Sequence, residues 1–173
     1  MSRLVILACL ALLAPGCNLV KGPRRDHECR STLRSIMVAE FAFHSVQRRY
    51  TVHPHELGFA PPPGNRYAYV FDATGDVTRR DERPSPPPEA SVGYGPDTAK
   101  RTVTVEDLVP RLPPEVRAAL GVRGSCPACQ LTVACVGNLD DDPDLDVWTI
   151  STEDRPGANR GTPLRVSTDL DRP

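Results

Sequence analysis

A long segment without proline or glycine, residues 27–50, constrains the fold of this chain more than any other feature. Proline makes up 19 of the 173 residues, about twice its usual share, so few other segments can sustain a long helix. Glu40 interrupts the apolar stripe of this segment, and we expect its carboxylate to lie in solvent at the edge of a helix. The apolar residues recur close to the helical period, which predicts one amphipathic helix: Cys29, Leu33, Ile36, Phe43, Val46 and Tyr50.

Three later segments have the alternating apolar pattern of strands: residues 66–71, 130–137 and 145–151. Residues 164–167 are a weaker candidate for an edge strand. Each of these elements has one apolar face to bury. We therefore predict an α+β fold in which one long N-terminal amphipathic helix packs on a small antiparallel sheet, as a single domain over residues 27–173.

The middle of the chain is polar and rich in proline. Residues 72–125 read as a mostly irregular insertion, and we expect a mobile loop over residues 74–100, because their composition buries too little apolar surface to offset the entropy of ordering. Near residues 113–120, a proline in the first turn and a glycine just past the end predict a short helix.

The N-terminal segment carries an export signal. Arg3 is followed by ten apolar residues, which is too short to span a bilayer and typical of a secretory signal peptide over residues 1–16. Ala14-Pro15-Gly16-Cys17 then resembles the lipobox of bacterial lipoproteins, in which the cysteine is lipidated and becomes the first mature residue. We expect lipid on Cys17 and a polar tether over residues 17–26; a plain secretory signal or an uncleaved anchor are the alternatives. Acyl chains hold a protein at a membrane without a spanning helix. Asn18 is compatible with outer-membrane sorting, so we expect a lipid-anchored protein of the outer membrane that faces the periplasm or the cell surface.

Four groups of residues along the chain follow one another in a familiar order. They are ECRSTLRSI at 28–36 with Ala39-Glu40 and Tyr50, LGF at 57–59 with PGNRYAY at 63–69, VGNLD at 136–140, and LDVWTI at 145–150. Together they resemble the globular part of type IV pilin-like proteins and of the related type II secretion pseudopilins. The resemblance implies a long helix against an antiparallel sheet and a role in pilus assembly, secretion or adhesion.

The resemblance stops at the N-terminus. Pilins begin with a prepilin-peptidase site containing Phe and Glu, followed by an apolar helix half, whereas Cys17 and a polar tether stand there in this chain. We therefore expect a pilin-like head carried on a lipid anchor.

Four cysteines remain once the signal is removed and Cys17 is lipidated, and in an exported protein they should pair. Three pairings are possible. Cys135 shares the apolar face of its strand and Cys29 lies on the helix stripe, so we expect Cys29–Cys135 to join helix to sheet and Cys126–Cys129 to close a short loop. A redox pair or a zinc site are the alternatives for Cys126 and Cys129.

An acidic segment follows the second predicted strand. Residues 138–146 hold five aspartates, of which Asp140, Asp142, Asp144 and Asp146 alternate and are candidate calcium ligands. Some pseudopilins similar to this chain carry calcium in an acidic loop near the C-terminus. The alternative is an acidic turn stabilised by Asx hydrogen bonds.

Charge and motifs limit the function classes. With 21 basic and 22 acidic residues, the chain lacks a basic field that would attract nucleic acid. No nucleophile elbow, phosphate-binding loop or zinc-protease motif occurs, so we do not expect an enzyme. We expect a non-enzymatic envelope lipoprotein that contacts pilus or secretion components; the alternative is a periplasmic thiol-disulfide or metal-handling protein that uses Cys126 and Cys129.

Overall fold

The computed structural model describes residues 25–80, 87–97, 105–139 and 143–168. Its longest helix, α1, spans Arg25–Gln47 and confirms the predicted N-terminal helix. The helix ends before the predicted residue 50, and Arg48 just beyond it adopts a left-handed conformation with φ 59°. A short helix, α2, follows at Pro54–Leu57. One face of α1 is buried. Its apolar residues on this face are at most 2% exposed: Cys29, Leu33, Ile36 and Met37.

A sheet of seven strands lies against this face of α1. The strands are β1 Ala68–Val70, β2 Thr78–Arg80, β3 Gly93–Asp97, β4 Gly121–Arg123, β5 Gln130–Gly137, β6 Asp146–Ser151 and β7 Leu164–Ser167. Their order is β2-β3-β1-β5-β6-β7, and β4 also pairs with β5. β5 is long enough for β4 to pair with its first residues and β1 with its later ones, since Gly121 lies opposite Thr132 and Val70 opposite Ala134.

The sheet differs from the predicted antiparallel sheet in one pair. β2 runs parallel to β3, while the other pairs are antiparallel. The α+β class and the helix-on-sheet arrangement are confirmed.

Both faces of the sheet are covered. Alternation along β1 turns Tyr67, Tyr69 and Phe71 toward α1 and turns Ala68 and Val70 to the far face. On the far face lie two short helices, α3 (Val105–Leu108) and α4 (Pro114–Ala119), with a 3-10 turn between them. The apolar side chains of this segment form a second core with the far side of the sheet: Leu108, Leu112, Val116 and Leu120.

Residues 72–125 therefore contain more structure than predicted. Helix α4 lies where a short helix was expected, but β2 and β3 lie within residues 74–100, where a mobile loop was expected. β3 is buried along its length and pairs with β1, and buried Arg80 of β2 donates a hydrogen bond to the Pro61 carbonyl. Backbone pairing and this contact compensate for the missing apolar pattern. Residues 81–86 and 98–100 lie outside the described part of the chain.

In the described ranges, no helix is both long enough and apolar enough to cross a bilayer.

Candidate functional site

The buried disulfide Cys29–Cys135 fixes α1 to the middle of the sheet. Cys29 lies on the second turn of α1 and Cys135 on the central strand β5, with both residues 0% exposed and their Cα atoms 6.0 Å apart. This is the pairing expected from the helix stripe and the strand face. A cross-link between positions 106 residues apart restricts the unfolded chain strongly. The start of the helix is thus covalently joined to the core of the head.

The second disulfide, Cys126–Cys129, closes the loop between β4 and β5. Cys126, Pro127 and Ala128 are exposed, whereas Cys129 is 6% exposed. The loop leads into a strand and not into a helix, so it lacks the helix N-terminus that lowers the thiol pKa in redox enzymes. This pairing also matches the expected one.

The Cys126–Cys129 loop touches the C-terminal part of α1. His44 Nε2 lies 2.9 Å from the Pro127 carbonyl oxygen. A carbonyl oxygen only accepts hydrogen bonds, so Nε2 carries the hydrogen and donates it. Sequence reasoning missed this contact, because the two residues are 83 positions apart and no local pattern links them.

An aromatic patch, defined as Phe41, His44 and Tyr50, lies beside this contact. The His44 ring stacks on Tyr50 with centroids 4.4 Å apart, and Phe41 meets Tyr50 edge-on at 6.5 Å. Gly161 lies beside Phe41, where its φ of 70° favours glycine; a Cβ there would make only an ordinary contact, 3.6 Å from Phe41 Cε2. Burial raises the pKa of Tyr50 while a hydrogen bond with Thr152 opposes the shift. Phe41 stays 37% exposed, so the patch offers an apolar and hydrogen-bonding contact surface.

Glu40 lies on the buried side of the same part of α1. The prediction that its carboxylate lies in solvent was wrong. Its side chain is 0% exposed, its Oε2 accepts a 3.3 Å hydrogen bond from Thr51 N, and its Oε1 is without a hydrogen-bond partner among the described residues. The segment after Arg48 folds back and covers the carboxyl, which a helical pattern alone does not reveal. Burial raises the pKa of Glu40 to about 8, with the Thr51 hydrogen bond opposing the shift.

The acidic segment is divided between the core and the surface. Asp146 is 0% exposed, and its Oδ2 accepts hydrogen bonds from Tyr67 Oη at 2.7 Å and Trp148 Nε1 at 3.0 Å. Arg165 Nε lies 3.7 Å from its Oδ1, and the guanidinium also stacks on the Trp148 ring. Burial and the nearby carboxylate raise the pKa of the Tyr67 phenol, which keeps it a hydrogen-bond donor.

The calcium site therefore stays a prediction. Asp144 is exposed, Asp146 faces the core, and Asp140 and Asp142 lie outside the described residues. The described ranges contain no cluster of three or more metal-binding side chains. Melting the protein with and without a chelator tests the site, and an unchanged melting temperature would remove it.

A groove of about 350 Å³ opens on the far side of the sheet. Arg111 and Asp144 supply its charged groups, and Ser167 and Thr168 also line it. Its lining supplies guanidinium, carboxylate and hydroxyl groups, so it offers a surface for polar contacts. Cys17, the candidate for lipidation, lies outside the described residues.

The family model described as Type IV pilin PilA matches residues 23–146, from just before α1 to the first residue of β6. The chain is also similar to the type IV major pilin protein PilA of Myxococcus xanthus (strain DK1622). The two are 29% identical over an alignment 166 residues long, and the match covers 86% of this chain and 76% of that protein.

Proposed function

This chain belongs to the type IV pilin PilA family, and from that premise we propose that it is a non-enzymatic envelope protein whose pilin head is held at a membrane by lipid on Cys17. The family match confirms the pilin resemblance of the sequence and supports a structural, pilus-related role. The observation that carries the proposal is the order of the segments. A lipobox-like motif ending at Cys17 closely precedes the segment where the pilin match begins, at residue 23.

The short tether supports a head held close to the membrane. α1 begins at Arg25, eight residues after Cys17 (25 − 17). Extended chain spans at most about 3.6 Å per residue, so the tether reaches no more than roughly 29 Å. Several acyl chains on one cysteine provide firm attachment, because each buried CH₂ contributes about 0.8 kcal/mol.

The Cys29–Cys135 disulfide suits a head that is pulled through its tether. Force applied at Cys17 enters the head at the start of α1, and Cys29 lies only one turn further along. The disulfide passes that force to Cys135 in central strand β5, which is paired with β1, β4 and β6. α1 then stays on the sheet under load, because peeling it off requires breaking a covalent bond.

The partners we propose are other envelope proteins, namely pilus or secretion components. Two apolar side chains of α1 are largely exposed to solvent, Val38 at 69% and Val46 at 75%. Together with the aromatic patch they give α1 an outward surface for protein contacts. The balanced charge of the chain argues against nucleic acid as a partner.

Cys17→Ser expressed in a bacterium tests the anchor, with Cys9→Ser in the apolar run of the signal as the matched control. We expect the wild-type chain and Cys9→Ser in the membrane fraction, where they incorporate labelled fatty acid. Cys17→Ser should lose the label and leave the membrane fraction. A Cys17→Ser protein that stays in the membrane until detergent is added would defeat the proposal.

A further inference from the structure

The two disulfides differ in their access to solvent. Cys29 and Cys135 are both 0% exposed in the core between α1 and the sheet. Cys126 is exposed and Cys129 is 6% exposed. Thiol–disulfide exchange needs a thiolate to reach one sulfur of the bond, so access decides which bond reacts in the folded protein. Of these two bonds, Cys126–Cys129 is the one that a thiolate in solvent can reach. The thiolate reaches this bond at Cys126.

The strands on either side of the loop do not depend on this disulfide. Its cysteines are only 3 residues apart, so the cross-link restricts the unfolded chain little. β4 and β5 are paired beyond the loop, with Val122 opposite Leu131 and Gly121 opposite Thr132. Opening the bond therefore frees the loop and leaves the strand register in place.

The contact of the loop with α1, in contrast, depends on the Cys126–Cys129 disulfide that closes the loop. Cys126 and Cys129 flank Pro127, whose carbonyl accepts the hydrogen bond from His44. The His44 ring is also held by stacking on Tyr50. A closed four-residue loop presents this carbonyl at a fixed place, and an open loop with exposed residues does not.

We propose that Cys126–Cys129 is a thiol–disulfide exchange site that takes a dithiol as its reactant and, when oxidised, fastens the loop to α1 through Pro127 and His44. This site is separate from the anchor and from the structural role proposed above. It makes the surface around the aromatic patch responsive to the redox state of the envelope.

The exchange takes place in two steps. A thiolate of the dithiol attacks Cys126 Sγ, the Cys126–Cys129 bond breaks, and Cys129 leaves as a thiolate that takes up a proton. The second thiolate of the dithiol then attacks the first sulfur of the same dithiol in the mixed disulfide. Cys126 leaves as a thiolate and takes up a proton. The dithiol loses two electrons and becomes a disulfide, while the loop gains two electrons and becomes a pair of thiols. An oxidised disulfide partner reverses both steps.

Dithiothreitol is the probe, applied to the full chain in detergent without denaturant and followed by thiol alkylation and peptide mapping. We expect alkylation at Cys126 and Cys129 while Cys29–Cys135 stays oxidised. The ring resonances of His44 should shift in the same reaction. Reduction of both disulfides together, or of neither before denaturant is added, would overturn the proposal, as would unchanged His44 resonances after reduction.

Single variants separate the roles of the two cysteines and of His44. Cys129→Ser leaves the exposed Cys126, which should form a mixed disulfide with oxidised glutathione several-fold faster than Cys129 does in Cys126→Ser. Equal rates would contradict attack at Cys126. His44→Phe keeps a ring on Tyr50 but removes the donor to Pro127, so its loop should be reduced faster than that of the wild type. An unchanged rate in a folded His44→Phe protein would show that the loop is not fastened through this contact.

Discussion

Glu40→Gln should remove most of the pH dependence of stability between pH 5 and pH 7.5. Glu40 is fully buried and accepts a hydrogen bond from Thr51 N. Its pKa is about 8 in the folded protein and near its ordinary 4.5 when unfolded, because burial disfavours the charged carboxylate. Since the folded pKa is the higher one, folding takes up a proton in this window. The stability linked to this proton is therefore fully present below about pH 4.5 and is lost as the pH rises toward 8.

The size of the effect follows from the shift. The free energy of unfolding should fall by about 1.4 kcal/mol per pH unit between these two pKa values, which gives about 3 kcal/mol from pH 5 to pH 7.5. The glutamine side chain of the variant has nearly the same shape as the protonated glutamate and no proton to take up. The variant should therefore match the wild type near pH 5 and exceed its stability by about 3 kcal/mol near pH 7.5.

Urea unfolding of both proteins across this pH range measures the difference directly. The two proteins differ only at residue 40, so the contributions of all other groups cancel in the comparison. Glu56→Gln is the matched control. Its partner Arg49 lowers the pKa of Glu56, so the stability that Glu56 adds is lost only as the pH falls into the acid range. The steep slope above pH 5 should remain in this variant, because burial is the largest cause of the raised Glu40 pKa and the charge of Glu56 is a smaller one. Parallel curves for the wild type and Glu40→Gln would refute the argument.

Three further variants test the core, each by urea unfolding of the oxidised protein. Replacing Cys29 and Cys135 together by Ala should cost about 4 kcal/mol, because the cross-link joins positions 106 residues apart; a loss near zero would mean that the pairing does not stabilise the head. Gly137→Ala should cost about 1–3 kcal/mol, because its Cβ would lie 2.8 Å from Tyr67 Cδ1, and a neutral result would contradict this close packing. Tyr67→Phe removes a hydrogen bond to buried Asp146 and should cost about 1–3 kcal/mol; no loss would contradict the bond.

Patterns within single elements made much of the fold predictable. The helical spacing of Cys29, Leu33 and Ile36 placed one face of α1 in the core, and alternation placed Cys135 on the strand face that meets it. Together these two periodicities led to the disulfide pairing that the structure has.

Features that depend on distant segments were not predictable in the same way. Glu40 is buried because Thr51 and its neighbours fold back over α1. The apolar spacing within the helix does not predict this path of the following segment. β3 has the sequence GYGPD, in which glycine and proline disfavour a strand, yet it is buried through its pairing with β1. The contact of His44 with Pro127 joins a helix to a loop that lies 83 positions further along the chain.

Mass spectrometry of the N-terminal peptide, taken from protein extracted from membranes, tests the central claim most directly. The account predicts that the mature chain begins at Cys17 and that this residue carries diacylglycerol. A peptide in which unmodified Cys17 is still preceded by Gly16 would contradict a pilin head on a lipid anchor.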